Sequence, residues 1–198
     1  MKNFLKIVIG LTFLTVASCA PKAVAQPEAY TIDANHTHVS FTVKRFGFAD
    51  TLAIFPTSSG TIIIDEDNPQ NSSVTAKVTT RDVWSGLKAR EDSINGKGFL
   101  NTAQHPEITF TSKSVALDAQ NDKRAQVIGD LTILGQTHPV TFDVTLNRIG
   151  PDITMKKTKA VGFSMTAMVR RSDFGNTTAA KFIGDEVYIK IETIAHLK

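Results

Sequence analysis

From Tyr30 onward the chain alternates apolar and polar residues with period two, and this restricts its folds more than any other feature. Val39, Phe41 and Val43 alternate with Ser40, Thr42 and Lys44, and Val140, Phe142, Val144 and Leu146 alternate with Thr141, Asp143 and Thr145. Val74, Ala76 and Val78 repeat the pattern, as do the run Val161, Phe163, Met165, Ala167, Val169 and the run Val187, Ile189, Ile191. Successive side chains of a strand point to opposite faces, so each run has one dry side and one wet side, as in half-buried antiparallel sheets. Asn68-Pro69, Leu134-Gly135-Gln136 and Gly150-Pro151-Asp152 read as turns between the runs. The pattern predicts about eight to ten strands, which suits a barrel or a sandwich. Ser85 to Gly96 breaks the period: Leu87 and Ile94 stand seven apart amid charges, predicting a short amphipathic helix or turn on the barrel. With no repeat and no linker, residues 26–198 form a single all-β domain.

The chain opens differently. Lys2 and Lys6 precede an apolar run from Ile7 to Ala17 that is too short for the roughly 20 residues of a spanning helix, and small residues follow. This is the layout of a secretory signal over residues 1–25. Two processing readings stand side by side. Ala23-Val24-Ala25 is a small-x-small cleavage site, whereas Val16-Ala17-Ser18-Cys19 resembles a lipoprotein box in which Cys19 would be lipidated. Lys2, Lys6 and Lys22 account for the whole formal charge of +3, so the rest of the chain is balanced. Either route places the mature protein outside the cytoplasm, touching membrane only through such an anchor.

Reactive constellations are scarce. His36 and His38 are two apart and would share a face within a strand, which makes a metal-assisted hydrolase the sharpest enzymatic alternative, although zinc needs further ligands. Neither Asp33 nor the isolated His105, His138 and His196 supplies ligand spacing. Gly162-Phe163-Ser164-Met165-Thr166 lacks the closing glycine of a nucleophile elbow. Arg170-Arg171 and Lys156-Lys157 are the densest basic spots, and no aromatic platform accompanies them, so nucleic acid is not expected as a partner.

An apolar interior remains. Twelve Phe against one Trp and two Tyr is a skew toward purely hydrophobic aromatics, among them Phe41, Phe46, Phe48, Phe55, Phe99, Phe110, Phe142 and Phe163. They either pack a solid core or wall a cavity, since a barrel of about eight strands is just wide enough for one small ligand. Met155, Met165 and Met168 would give such a cavity a pliable wall.

Five stretches carry a family resemblance. Tyr30-x-Ile32-Asp33-x-x-His36-Thr37-x-Val39-x-Phe41-x-Val43 is similar to the opening of the YceI-like family of bacterial periplasmic proteins. His105-Pro106-x-Ile108-Thr109-Phe110-x-Ser112, the hairpin Gly129-Asp130-Leu131-Thr132-Ile133-Leu134-Gly135-Gln136-Thr137, Gly162-Phe163, and Arg171-Ser172-Asp173-Phe174-Gly175 resemble later family stretches in the same order. The resemblance implies an extended lipocalin-like antiparallel barrel of eight strands, binding polyisoprenoid chains such as those of quinones or prenyl phosphates, or other long-chain amphiphiles. It brings no catalytic residues and no cofactor besides the bound lipid.

On this reading Val39, Phe41, Val43, Phe110, Phe142, Val144, Phe163 and Met165 are expected to form the pocket wall. Arg170 and Arg171 are the candidates for a head group, against a structural reading in which Arg171 pairs with Asp173 to fix the turn. Besides the metal-assisted hydrolase, an envelope protein-interaction module with a solid core is the alternative. A homodimer through an exposed edge or the barrel mouth is left open by the sequence.

Overall fold

The computed structural model describes residues 26–198; residues 1–25, on which the expected signal segment, Cys19 and both expected processing sites fall, lie outside the described residues. Ten strands form one antiparallel sheet: β1 (Glu28–Ile32), β2 (His38–Arg45), β3 (Ala49–Phe55), β4 (Ser58–Ile64), β5 (Ser73–Thr79), β6 (Glu107–Asp118), β7 (Asn121–Ile133), β8 (Gln136–Asp152), β9 (Thr158–Arg170) and β10 (Ile183–Leu197). Neighbours run β1-β4-β5-β6-β7-β8-β9-β10, and β10 returns to β1, so eight staves close a barrel.

The two surplus strands arise because two staves are broken. β1 and β2 both lie along the same edge of β10, with Ile32 opposite Ala195 and Val39 opposite Ile191. Between them Asp33 caps a short 3₁₀ turn, Ala34–His36, by accepting from the Asn35 N–H at 2.9 Å. β3 and β4 likewise continue one another, β3 against β2 and β4 against β1. Pro56 stands at their junction, where it has no N–H to give a ladder.

Alternation sets the faces as expected. Phe41 faces Ala53 and Ile189 across its two ladders, Phe142 faces Val127, and Val144 faces Met165, all on the inward side. The β7–β8 hairpin turns on Leu134 and Gly135 with φ of 54° and 73°, the left-handed pair that a two-residue type I′ turn requires. Gly150-Pro151-Asp152, expected as a turn, instead belongs to β8, and the chain reverses at 153–157. β7 stops pairing at Thr145, so this part of β8 has a free edge on that side, where proline is tolerated.

The helix α1 spans Lys88–Asn95, shorter than the expected Ser85–Gly96, because Gly86 at φ 74° keeps the preceding segment in a turn. Leu87 is left exposed at its start, while Ile94 packs against Ala53, Phe55 and Val83. The buried apolar residues fall into three groups: Leu131, Val140, Phe142, Val169 and Phe174; Tyr30, Ile62, Val161 and Ala195; and Ala53, Phe55 and Val83.

A polar cluster ties the closing seam. His196 on β10 donates from Nε2 to Asp152 at 3.0 Å, and its Nδ1 lies 3.8 Å from Asp33, which His36 meets at 2.8 Å. The hydrogen bond from His196, with those from the Thr154 hydroxyl and N–H, holds the Asp152 carboxyl well below the usual carboxylate range. Burial opposes the charge of Asp33, but hydrogen bonds from His36 and the Asn35 N–H, with the two histidine charges, keep it lowered. A carboxylate whose folded value lies below its unfolded value of about 3.9 stabilises the fold above that pH, and the stabilisation is lost as pH falls through the folded value. Melting temperature is therefore expected to drop as pH is lowered from about 5 toward 2. Asp152→Asn should make that decline shallower; superimposable profiles would refute the assignment.

Candidate functional site

A chamber of about 940 Å³ runs through the barrel. It reaches exposed residues at both ends: Arg45, Leu87, Ala89 and Ser93 beside α1, and Glu66, Leu117, Asp122 and Lys123 at the opposite end. Between these ends the wall is almost wholly apolar. Val39, Phe41, Val43, Phe110, Phe142, Val144, Phe163 and Met165 all lie on it. Parity explains the agreement, since a half-buried strand with one polar face has no choice of which side turns inward. Phe110 and Phe142 meet edge to face with centroids 5.0 Å apart, and Phe41 stacks on Phe55 at 5.3 Å. These contacts give the wall a fixed shape in place of a collapsed plug. The chamber also overturns the solid-core alternative.

Other expectations are corrected. Met155 and Met168 are exposed on the outside, and of the three methionines only Met165 reaches the chamber. Phe46 and Phe48 are exposed as well. Arg170 is not on the chamber wall: odd-numbered residues of β9 point inward, so Arg170 faces out beside Glu186 while Arg171 follows the inward row.

Arg171 lines the chamber but spends four of its five N–H donors on the protein. Nε donates to the Gly184 carbonyl at 2.9 Å, Nη1 to Asn176 Oδ1 at 2.8 Å and the Thr178 carbonyl at 2.7 Å, and Nη2 to the Ile183 carbonyl at 3.0 Å. Arg171 thus fixes the β9–β10 loop, though through carbonyls and Asn176; the carboxylate in this loop network is Asp185, which accepts from the Ser172 hydroxyl and N–H, and not Asp173. His36 and His38 do not share a face either. His36 belongs to the 3₁₀ turn and pairs with Asp33, whereas His38 opens β2 and is exposed, because the break in the stave falls between them. Among the described residues no group of three or more His, Cys, Asp or Glu is placed to hold a metal.

Several cationic residues on the wall were not anticipated: Lys77, Lys123 and Arg124, and, at the α1 end, Arg45 and Arg90. Arg45 stacks on the Phe46 ring at 4.7 Å, and Arg90 gives one hydrogen bond to the Ser85 carbonyl; neither has an acidic partner among the described residues. Both were within reach of sequence logic. Arg45 continues the inward row of Val39, Phe41 and Val43, and Arg90 precedes Ile94 by four on one helical face.

Lys44, Asp143, Lys190 and Glu192 face outward, where a membrane-spanning barrel would carry an apolar band, while Leu52, Tyr188 and Met168 form one apolar row among them. A closed antiparallel barrel wound round an apolar chamber defines a lipocalin-like cavity protein. The sequence pattern of the YceI-like domain matches residues 30–195, and the chain belongs to the YceI-like family. It is 32% identical to Protein YceI of Escherichia coli O17:K52:H18 over 173 residues, which cover 87% of this chain and 88% of that protein. Among solved structures it resembles Burkholderia cenocepacia BcnA, with a TM-score of 0.73, 24% identity, and coverage of 82% of this chain and 98% of that one. It also resembles a polyisoprenoid-binding domain from Saccharophagus degradans implicated in plant cell wall breakdown, with a TM-score of 0.64, 13% identity, and coverage of 86% and 99%.

Proposed function

We propose that this protein encloses one polyisoprenoid or similar long-chain amphiphile in its barrel, carrying or sequestering it in the periplasm without chemical change. The observation that carries the reading is the chamber: about 940 Å³, near the upper end of the roughly 300–1,000 Å³ usual for small-molecule pockets, with a wall suited to hydrocarbon. Ten methylenes moved from water into such a wall offer about 8 kcal/mol before ordering costs, enough for micromolar or tighter holding. The likeness to the Saccharophagus degradans domain supports a polyisoprenoid tenant, and the signal-like leader supports export. Arg45 and Arg90 at the α1 end, with the remaining N–H of Arg171, favour an anionic or strongly accepting head group there.

Organic extraction of natively purified protein, followed by mass spectrometry, tests this. The expected result is a long-chain prenyl lipid at close to one per chain. No co-purifying lipid, together with no uptake of added long-chain prenyl compounds, would reject the reading in favour of a protein-interaction module.

A further inference from the structure

The α1 end of the barrel carries an apolar collar that the chamber alone does not explain. Phe48 at the β2–β3 tip is 93% exposed, Trp84 57%, Phe182 52% and Leu87 52%. They form one surface. Phe46 and Phe182 pack with ring centroids 5.1 Å apart, and Phe48 and Trp84 wall a side pocket together with Arg45, Arg90 and Asp50, whose charge is met by Lys44. Arg45, Arg90 and Leu87 in turn line the main chamber, so collar and chamber are continuous. Cations without acidic partners among the described residues stand beside the rings: Arg45 and Arg90, with Lys181 adjoining Phe182 in the chain.

Large apolar side chains held in water are unfavourable, and a patch of them at one end calls for a partner. Rings flanked by unpaired cations match an interface of apolar chains beneath anionic head groups, where aromatic rings settle and each basic side chain gains from the surface potential. We infer that this end docks on an anionic phospholipid bilayer, with Phe48 and Trp84 entering the interface and the chamber mouth facing the acyl chains. The inference rests on the lipid-enclosing reading, because continuity of collar and chamber lets an isoprenoid pass between bilayer and barrel without crossing water.

Trp84 is the sole tryptophan of the chain and sits in the collar, so its fluorescence reports on this surface alone. With natively purified protein and vesicles of phosphatidylethanolamine and phosphatidylglycerol, Trp84 emission should shift to the blue and be quenched by brominated acyl chains. An anchor elsewhere on the chain would not produce that quenching. Phe48→Ser should cut vesicle partitioning about tenfold, as expected for one aromatic side chain withdrawn from the interface. Ile153→Ser, which removes an 83% exposed residue of the opposite end, should leave partitioning unchanged, and vesicles of phosphatidylcholine alone should bind several-fold more weakly. Unmoved Trp84 emission, equal loss in both variants, or a dimer in vesicle-free buffer that Phe48→Ser dissociates would overturn the inference. Vesicle docking is read without any prenyl ligand, and lipid extraction is read without vesicles, so either idea can fail while the other stands.

Discussion

Met165→Glu is expected to weaken binding of a long-chain prenyl compound at least about a hundredfold at neutral pH. Met165 stands midway along β9, opposite Val144 on one neighbour and Ile191 on the other, and all three line the chamber. Glutamate has similar length but brings a carboxylate, which keeps its water in the empty barrel. A hydrocarbon tenant must strip that water or force the group to take up a proton, and neither Val144 nor Ile191 opposite it offers a compensating partner. The sign of the pH dependence follows. Protonation removes the charge, so the variant's affinity should recover as pH is lowered toward 5, while the parent's stays flat over the same interval. Met165→Leu keeps the wall apolar and should bind within a few-fold of the parent. Titration with a fluorescent prenyl analogue decides the matter; unchanged affinity in the glutamate variant would mean that the ligand does not occupy the middle of the barrel.

The second large effect concerns the scaffold. Gly129→Ala is expected to lower unfolding free energy by about 3 kcal/mol, a fall of about 6–12 °C in melting temperature for a domain of this size. Gly129 lies on β7 opposite Ser112, beside a register shift between β6 and β7. There the strands approach so closely that a methyl carbon would stand 2.4 Å from the Thr111 carbonyl oxygen and 2.5 Å from Cζ of Phe110. The ring contact can yield, but the carbonyl belongs to the adjoining ladder and moves only with its strand. The residue that lacks a side chain is what lets the Phe110 ring lie flat on the wall. Phe110→Leu/Gly129→Ala should recover only part of the loss, because the carbonyl clash persists. A loss under about 1 kcal/mol in the single variant, measured by denaturant titration, would show that β6 and β7 separate easily.

Much of this molecule was legible from residue parity. Alternation from Val39 to Val43 and from Val161 to Val169 assigns each side chain to a face before any strand order is known, so the inward rows could be named from the sequence. Parity also separates Arg171 from Arg170, and extending it past Val43 would have yielded Arg45. Closure was harder to read, because the two staves broken at Asp33–Thr37 and Pro56 look like four strands in one dimension and become two only because β1 and β2 share an edge of β10, with β4 following β1 and β3 following β2. The exposure of Phe46 and Phe48 was not legible. Phenylalanine beside a strand reads as core, and only the packing of three distant loops at one barrel end leaves them in water. His36 and His38 misled for a related reason: the turn that Asp33 caps falls between them and breaks their common face.

The three separate buried groups around the chamber have a consequence for the life of the protein. Each is small, and the chamber lies between them, with Ile108 bridging two of the three. A tenant filling that space joins the three into one interior, so loading and folding become a single coupled equilibrium in which every bound chain draws the barrel away from its unfolded state. On the lipid-enclosing reading, the empty barrel is then the form that opens most readily and that proteases meet first. On the same reading, the cell needs no separate sensor to match the amount of carrier to the amount of cargo, because scarcity of cargo shortens the carrier's lifetime.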